Sequence, residues 1–220
     1  YQLFFFDNKT KTSKMLTDGA SRNGMGKWTH GGDKFVFAST KRNGKDYDLY
    51  LHRMDERWED ELIFEASGFW MPMDWSPDDK KILIKNYISI NESNLFILDI
   101  ESGKITSIKE AEEQISYGTA RWSGNGKSVY FTSDYRNEVR KLKEFDIESG
   151  KFRTISKGIP WNISSINLAP DGNTLAFTSN ESGLSKLYLL DVQMNKLVQV
   201  STIPDGLVGG LEWNKDSKRL

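Results

Sequence analysis

The apolar residues of this chain fall into short runs, each ended by a polar turn that contains Gly, Pro, Asn or Asp. One clear run, residues 82–84, follows the segment Trp-Ser-Pro-Asp-Asp-Lys-Lys at residues 75–81. The same order of anchor, polar turn and apolar run occurs five times. The anchors are Trp28, Trp75, Trp122, Leu168 and Trp213, which are 47, 47, 46 and 45 residues apart. A nearly constant period of this length indicates a repeat architecture.

Each complete repeat contains four runs that we interpret as β-strands. The second and third runs are nearly all apolar, as expected for a sheet that is buried on both faces. The string Asp-Ile-Glu-Ser-Gly-Lys occurs at residues 99–104 and again at 146–151, each time between the third and fourth runs. Its glycine can adopt the positive φ that a tight hairpin turn requires. Residues 110–114 come nearest to a helical period, but they are few and charged, and we assign them to a loop.

These repeats predict an all-β fold, a β-propeller with four-stranded antiparallel blades. First strands should line a central channel, and fourth strands should form the rim. We expect one propeller domain over residues 1–220, an incomplete arc of a larger ring of about six to eight blades. Its exposed blade edges would favour oligomers. The predicted parts are an outer half-blade at 1–20, blades at 21–66, 67–114, 115–158 and 159–204, and the start of a blade at 205–220.

The composition narrows the range of partners. The chain has 30 basic and 31 acidic residues and a net charge of -1, so it offers no electrostatic reason to expect nucleic acid. No run approaches the roughly 18 apolar residues that a membrane span needs, so we expect no membrane. The absence of cysteine excludes disulfides, thiolate catalysis and Cys-ligated zinc. The sequence does not decide between a cytoplasmic location and a bacterial periplasmic or exported one.

The repeated residues are interpreted as structural. Tryptophan anchors fit burial between blades better than ligand stacking, because Leu168 replaces them in one repeat. Asp78 and Asp171 lie in turns, where aspartate commonly caps the local backbone. The two histidines, His30 and His52, share no repeat position and no motif. We therefore predict no catalytic, metal-binding or cofactor-binding residue in this segment.

The residue before each anchor is polar in all five repeats. On the first strand of a blade these side chains should lie near the central channel, and we take them as channel-lining candidates. Two interpretations remain open: a solvated or mutually paired ring, and a polar channel that guides a charged substrate or peptide end. The candidates are Lys27, Asp74, Arg121, Asn167 and Glu212.

The turn Trp-Ser-Pro-Asp-Asp-Lys at residues 75–80 resembles the Trp-Ser-Pro-Asp-Gly-Lys turn of TolB-like propeller repeats. Such repeats also form the non-catalytic domains of prolyl-oligopeptidase-like (S9) serine peptidases. The segments 73–93 and 177–188 look most like the peptidase group. In that family the propeller caps an α/β-hydrolase domain that carries the Ser-Asp-His triad. No triad motif occurs here, so the resemblance transfers no catalytic residue.

The resemblance implies a propeller that gates and positions peptide substrates for a hydrolase domain outside this segment. On that interpretation the parent protein is a serine peptidase, and the partners are its hydrolase domain and the peptide. The alternative is a TolB-like scaffold that binds other proteins. A third interpretation, an enzyme with its site in the channel, requires converging carboxylates or histidines, and the sequence shows no such cluster.

Overall fold

The computed structural model describes residues 1–55 and 59–220. All regular structure in these residues is β, in agreement with the predicted fold class. No helix is present among them, and therefore none that could cross a membrane. The chain divides into two compact units, residues 1–107 and 108–220.

The first unit contains a hairpin and two four-stranded antiparallel sheets. The hairpin is formed by β1 (Phe4–Asp7) and β2 (Thr12–Met15). Sheet A has the order β3-β4-β5-β6, and sheet B has the order β7-β8-β9-β10. The strands of sheet A are β3 (Asn23–Trp28), β4 (Lys34–Ser39), β5 (Asp48–Arg53) and β6 (Asp60–Phe64). Those of sheet B are β7 (Phe69–Trp75), β8 (Lys81–Ser89), β9 (Glu92–Asp99) and β10 (Ile105–Ile108).

The second unit contains two further sheets of the same topology. Sheet C has the order β11-β12-β13-β14, and sheet D has the order β15-β16-β17-β18. The strands of sheet C are β11 (Tyr117–Trp122), β12 (Ser128–Ser133), β13 (Lys141–Asp146) and β14 (Phe152–Thr154). Those of sheet D are β15 (Asn162–Leu168), β16 (Thr174–Glu181), β17 (Leu184–Asp191) and β18 (Lys196–Gln199). Residues 201–220 contain no strand.

The second strand of each sheet contains a run of at least three consecutive buried residues. In β4 the side chains of Phe35 and Phe37 lie on one face and Val36 and Ala38 on the other, and all four are buried. A strand covered on both faces needs a continuous apolar run rather than an alternating one. This explains why the predicted apolar runs coincide with β4, β8, β12 and β16.

The third strands also carry runs of apolar residues, except for β13. The strand β9 carries the buried residues Leu95, Ile97 and Leu98. In β13, however, the prediction of a nearly all-apolar strand is wrong, because Lys141 and Lys143 are buried there and Glu144 is half-buried. This strand accepts these charged residues because each has a polar partner: Lys141 donates to Ile159 O, and the partners of Lys143 and Glu144 are described below.

Each unit has a buried hydrophobic cluster between its two sheets. In the first unit, the first strand of sheet B packs on sheet A, and Val36, Leu49, Trp75 and Ile82 meet there. In the second unit, the first strand of sheet D packs on sheet C, where Leu142, Ile163 and Phe177 are buried together. Within each unit, therefore, the first strand of one sheet covers the face of the sheet before it.

Candidate functional site

The repeated turn after each anchor has the geometry expected of a structural element. The backbone N–H of Asp79 donates to Ser76 O at 2.9 Å, and Gly126 N–H donates to Ser123 O at the same distance. Asp78 Oδ1 accepts from Lys80 N at 3.2 Å, and Asp171 Oδ1 accepts from Asn173 N at 2.9 Å. Both aspartates thus cap their own turns, as predicted.

In the first unit, successive turns are joined by a side chain. Asp79 has φ 55°, and its carboxylate accepts from His30 N at 3.0 Å and Gly31 N at 3.2 Å. The same carboxylate lies 2.8 Å from His30 Nδ1. Burial raises the pKa of Asp79, but the hydrogen bonds from His30 and Gly31 outweigh it, and the pKa lies below its usual value. Asp79 therefore fastens the turn of sheet B to the turn of sheet A.

In the second unit, the corresponding contact is made by two glycines. A Cβ placed on Gly172 would lie 2.9 Å from Gly124 Cα, and one placed on Gly124 would lie 2.6 Å from Gly172 Cα. Gly172 also has φ 75°. The two backbones touch directly, so no side chain can occupy either position without moving the turns apart.

The tryptophan anchors are structural where a neighbouring sheet covers them. Trp75 is 2% exposed, and its indole N–H donates to Lys27 O at 2.9 Å. Trp213 is half-buried, and its indole N–H donates to Asn167 O at 3.2 Å. Each indole N–H thus donates to the backbone carbonyl of the residue that precedes the anchor of the preceding repeat. The expected burial fails for Trp28, which is 48% exposed and packs on Phe35 with ring centroids 4.9 Å apart.

Four of the predicted channel-lining residues take equivalent places on the first strands. Lys27 pairs with Val36, Asp74 with Leu83, Arg121 with Tyr130 and Asn167 with Ala176. A register shift in each first strand precedes this position or ends at it, and such bulges change the direction of the following side chains. Glu212 is exposed and lies outside the strands.

Contacts of these residues differ from one repeat to the next. Asn167 donates from Nδ2 to Leu211 O at 2.5 Å, and Arg121 donates from Nη1 to Ala120 O at 2.9 Å. Lys27, Asp74, Arg121 and Asn167 are all half-buried. Their place as a channel lining remains a prediction.

Sheet C carries a row of polar side chains that the other sheets lack. Antiparallel pairing places Arg121, Tyr130, Glu144 and Arg153 side by side across its four strands. Arg153 donates from Nε to Glu144 Oε2 at 2.9 Å. The equivalent central pairs in the other sheets are apolar: Val36–Leu51, Leu83–Ile97 and Ala176–Leu189. Comparing the repeats row by row could have revealed this difference, but reading each strand by itself did not.

This row borders a cleft between sheets C and D, which we call the polar cleft. Its volume is about 450 Å³, and its lining includes Tyr130, Glu144, Ser128, Asn125 and Asn173. Burial raises the pKa of Tyr130 to about 12, and the neighbouring Glu144 carboxylate adds to this effect. The Tyr130 hydroxyl therefore stays protonated at neutral pH.

The opposite face of β13 holds a buried ion pair. Lys143 Nζ lies 2.7 Å from Glu110 Oε1, and both side chains are 4% exposed. Ser133 donates its hydroxyl proton to the other oxygen of Glu110, and Lys143 also donates to Tyr135 O at 3.2 Å. Glu110 comes from the loop before β11, which agrees with the prediction of a loop there. The pair fixes this loop to the sheet.

Each of the two histidines bonds an aspartate. His30 is exposed and bonds Asp79, and no serine hydroxyl among the described residues bonds its ring. His52 is 1% exposed, with Nδ1 2.7 Å from Asp60 Oδ1, so a substrate cannot reach it. Within residues 1–55 and 59–220, no group of three or more His, Asp or Glu side chains is placed to hold a metal ion.

The chain belongs to the TolB beta propeller domain family (PD40), whose profile matches residues 35–219. A curated relative is dipeptidyl-peptidase 5 of Porphyromonas gingivalis, which is 24% identical over 139 residues. The alignment covers 58% of this chain and 20% of the peptidase. The chain thus spans about one fifth of the length of the relative that it matches.

Solved structures of different activities share the fold. TolB from Acinetobacter baumannii matches with a TM-score of 0.72 and 20% identity over 90% of this chain and 48% of TolB. An oligogalacturonate lyase in complex with manganese matches with a TM-score of 0.75 and 14% identity, over 97% of this chain and 62% of the lyase. A puromycin-hydrolyzing peptidase of Mycobacterium tuberculosis matches with a TM-score of 0.72 and 13% identity, over 91% and 35%. At these identities the matches establish the β-propeller fold.

Proposed function

We propose that this chain is the non-catalytic propeller of a serine peptidase of the prolyl-oligopeptidase type. Its role is to admit and position peptide substrates for a hydrolase domain of the same parent chain. The observation that carries the proposal is the alignment to a dipeptidyl-peptidase of which this chain covers one fifth. The remainder of such a protein has room for the hydrolase domain.

The side chains of this segment are consistent with a role that needs no chemistry of its own. Acyl transfer by serine requires a nucleophile, a histidine base within hydrogen-bond reach and an oxyanion hole. One histidine is buried, and the other is bonded to an aspartate in a turn. On this proposal, the nucleophile and the base belong to another part of the parent protein.

The polar first-strand residues are the candidates for substrate guidance. Their charges alternate in sign from Lys27 to Asp74 to Arg121, so a dipolar peptide could interact with them in turn. Replacing Asp74 or Arg121 with alanine in the parent peptidase should then raise the KM for peptides and leave kcat nearly unchanged. Reduced stability with unchanged KM would instead assign these residues a purely structural role.

Labelling with a fluorophosphonate probe tests the peptidase assignment directly, because the probe reacts with activated serines. We expect the parent protein to be labelled at a serine outside residues 1–220 and the 220-residue chain to stay unlabelled. Heat-denatured parent protein serves as the control for non-specific reaction. A parent protein that is not labelled at all would contradict the proposal and favour the TolB-like scaffold.

A further inference from the structure

We propose that the polar cleft between sheets C and D binds a neutral sugar of one or two rings. The cleft lies entirely within residues 108–220 and is lined by the turns of both sheets and by Tyr130 and Glu144 of the polar row. The inference does not rest on the peptidase assignment, since it concerns a different part of the molecule from the first-strand positions.

The shape of the cleft comes from the glycine contact between the two turns. Gly124 and Gly172 both line it, and neither has a side chain that could fill it. The resulting volume of about 450 Å³ lies within the range of ligand sites, roughly 300–1,000 Å³. In the first unit, the corresponding turns are instead joined by the Asp79 side chain.

Two largely buried residues on this lining have hydroxyl groups without a hydrogen-bond partner among the described residues. Tyr130 is 2% exposed and Ser128 is 7% exposed, and neither hydroxyl forms a hydrogen bond with a described residue. Each hydroxyl oxygen keeps contact with the solvent of the cleft, although the rest of its residue is buried. Both hydroxyls are therefore available to donate to, or accept from, a ligand in the cleft.

The surrounding groups offer both donors and acceptors. Oδ1 of Asn125 accepts from Ser123 and Lys127, and Oδ1 of Asn173 accepts from Gln193, so each amide keeps its NH₂ group available. Glu144 uses Oε2 for Arg153 and keeps Oε1 available. Sugar hydroxyls donate and accept at once, and this mixed set matches that property.

The charges of the cleft favour a neutral ligand over an ion. The Glu144 carboxylate is already paired with Arg153. Asp171, the other acid of the lining, accepts the backbone N–H of Asn173 within its own turn. No Lys or Arg side chain lines the cleft to attract an anion. Val192 provides an apolar surface for the C–H groups of a sugar ring.

Saturation-transfer-difference NMR of the 220-residue chain with maltose and with cellobiose tests the inference. We expect saturable binding of at least one of the two disaccharides. Tyr130→Phe removes only the hydroxyl and should weaken binding about threefold to tenfold, the usual effect of one neutral hydrogen bond. Thermal melting of the variant confirms that it is folded.

Tyr188→Phe is the matched control, because the Tyr188 hydroxyl bonds Glu181 at 2.7 Å and does not line the cleft. This variant should bind the sugar as the unmodified chain does. The inference is overturned if neither disaccharide gives a saturable signal, or if both tyrosine variants bind equally well. In either case water alone occupies the cleft and hydrates the two hydroxyls.

Discussion

The two units use the same backbone plan and fill it with different chemistry. At equivalent places on the third strand, the first unit has Tyr50 and Phe96, whereas β13 of the second unit has Lys143. One position further along, Ile97 is replaced by Glu144. Sheet C thus places charged groups where sheet B places apolar ones.

At the turns, it is the first unit that uses a charged side chain and the second that uses none. The first unit joins its turns through the Asp79 carboxylate, and the second unit joins them by direct contact of Gly124 and Gly172. The glycine contact leaves the polar cleft beside it. The comparison teaches that hydrogen-bonded sheets and turns maintain the repeat, while individual side chains are free to change between apolar and charged chemistry.

The largest expected effect comes from breaking the buried ion pair of sheet C. Glu110→Ala leaves the Lys143 ammonium buried without its carboxylate and should lower the free energy of unfolding by about 3–5 kcal/mol. Urea denaturation followed by tryptophan fluorescence measures the loss. Adding Lys143→Tyr, the residue found at the equivalent places in sheets A and D, should restore much of it. A loss under about 1 kcal/mol for the single variant would show that the pair is solvated.

The turn contact of the first unit should have a smaller effect. Asp79→Ala removes the acceptor for two backbone N–H groups and places alanine at φ 55°, so we expect a loss of about 1–2 kcal/mol. Asp79→Gly loses the same bonds but tolerates this φ, so it should lose less. Equal stability of both variants and the unmodified chain would contradict the role of Asp79.

The pH dependence of stability provides a second test of the role of Asp79. The folded pKa of Asp79 lies below its ordinary value of 3.8, so its stabilising effect is present above that value and is lost as the pH falls through the folded pKa. The Asp79→Ala variant should therefore lose less stability on acidification than the unmodified chain. Urea midpoints measured between neutral and strongly acidic pH provide the comparison. Parallel pH profiles would assign the acid sensitivity to other carboxylates.

A conservative substitution in sheet B tests how much the apolar residue at this position contributes to stability. Ile97→Val removes one buried methylene from the position that Glu144 occupies in sheet C, and it should lose about 0.5–1.5 kcal/mol. Urea denaturation is again the measurement. A smaller loss than this range would mean that the Ile97 side chain is loosely packed in the folded protein.

The sequence was sufficient for the fold because the repeat is carried by turns and apolar runs. Trp75 and the turn after it predict where a strand ends, and the observed hydrogen bonds follow that pattern. The exposure of Trp28 was not predictable, because burial depends on what packs against a strand and not on the strand itself. The role of Asp79 also escaped prediction, since its partner His30 lies 49 residues earlier in the chain.

The polar row of sheet C could not be predicted either, because it depends on how the strands pair. Tyr130 and Glu144 look ordinary within their own strands and become unusual only when the register places them as one pair between Arg121 and Arg153. Side-chain chemistry that depends on cross-strand pairing requires the register, which the periodicity of one strand does not contain. The polar first-strand residues were found because they occupy a fixed place beside an anchor.

The smallest expected effect belongs to the hydroxyl of Tyr130. Because this hydroxyl has no partner among the described residues, Tyr130→Phe should change the free energy of unfolding at neutral pH by less than about 0.5 kcal/mol.

At high pH the stabilities of the unmodified chain and of Tyr130→Phe should differ. Burial first, and then Glu144, raise the pKa of Tyr130 from 10.0 to about 12, so the folded state favours the neutral phenol. Its contribution is therefore complete below pH 10 and is lost as the pH rises towards 12. The phenylalanine variant should lose stability less steeply in that window, by up to about 1 kcal/mol per pH unit. Urea denaturation at several alkaline pH values tests this, with Leu83→Val at the equivalent place in sheet B as a control that changes no titrating group. If the profiles of the unmodified chain and Tyr130→Phe stay parallel, the hydroxyl is hydrated in the folded protein and the polar cleft is open to water.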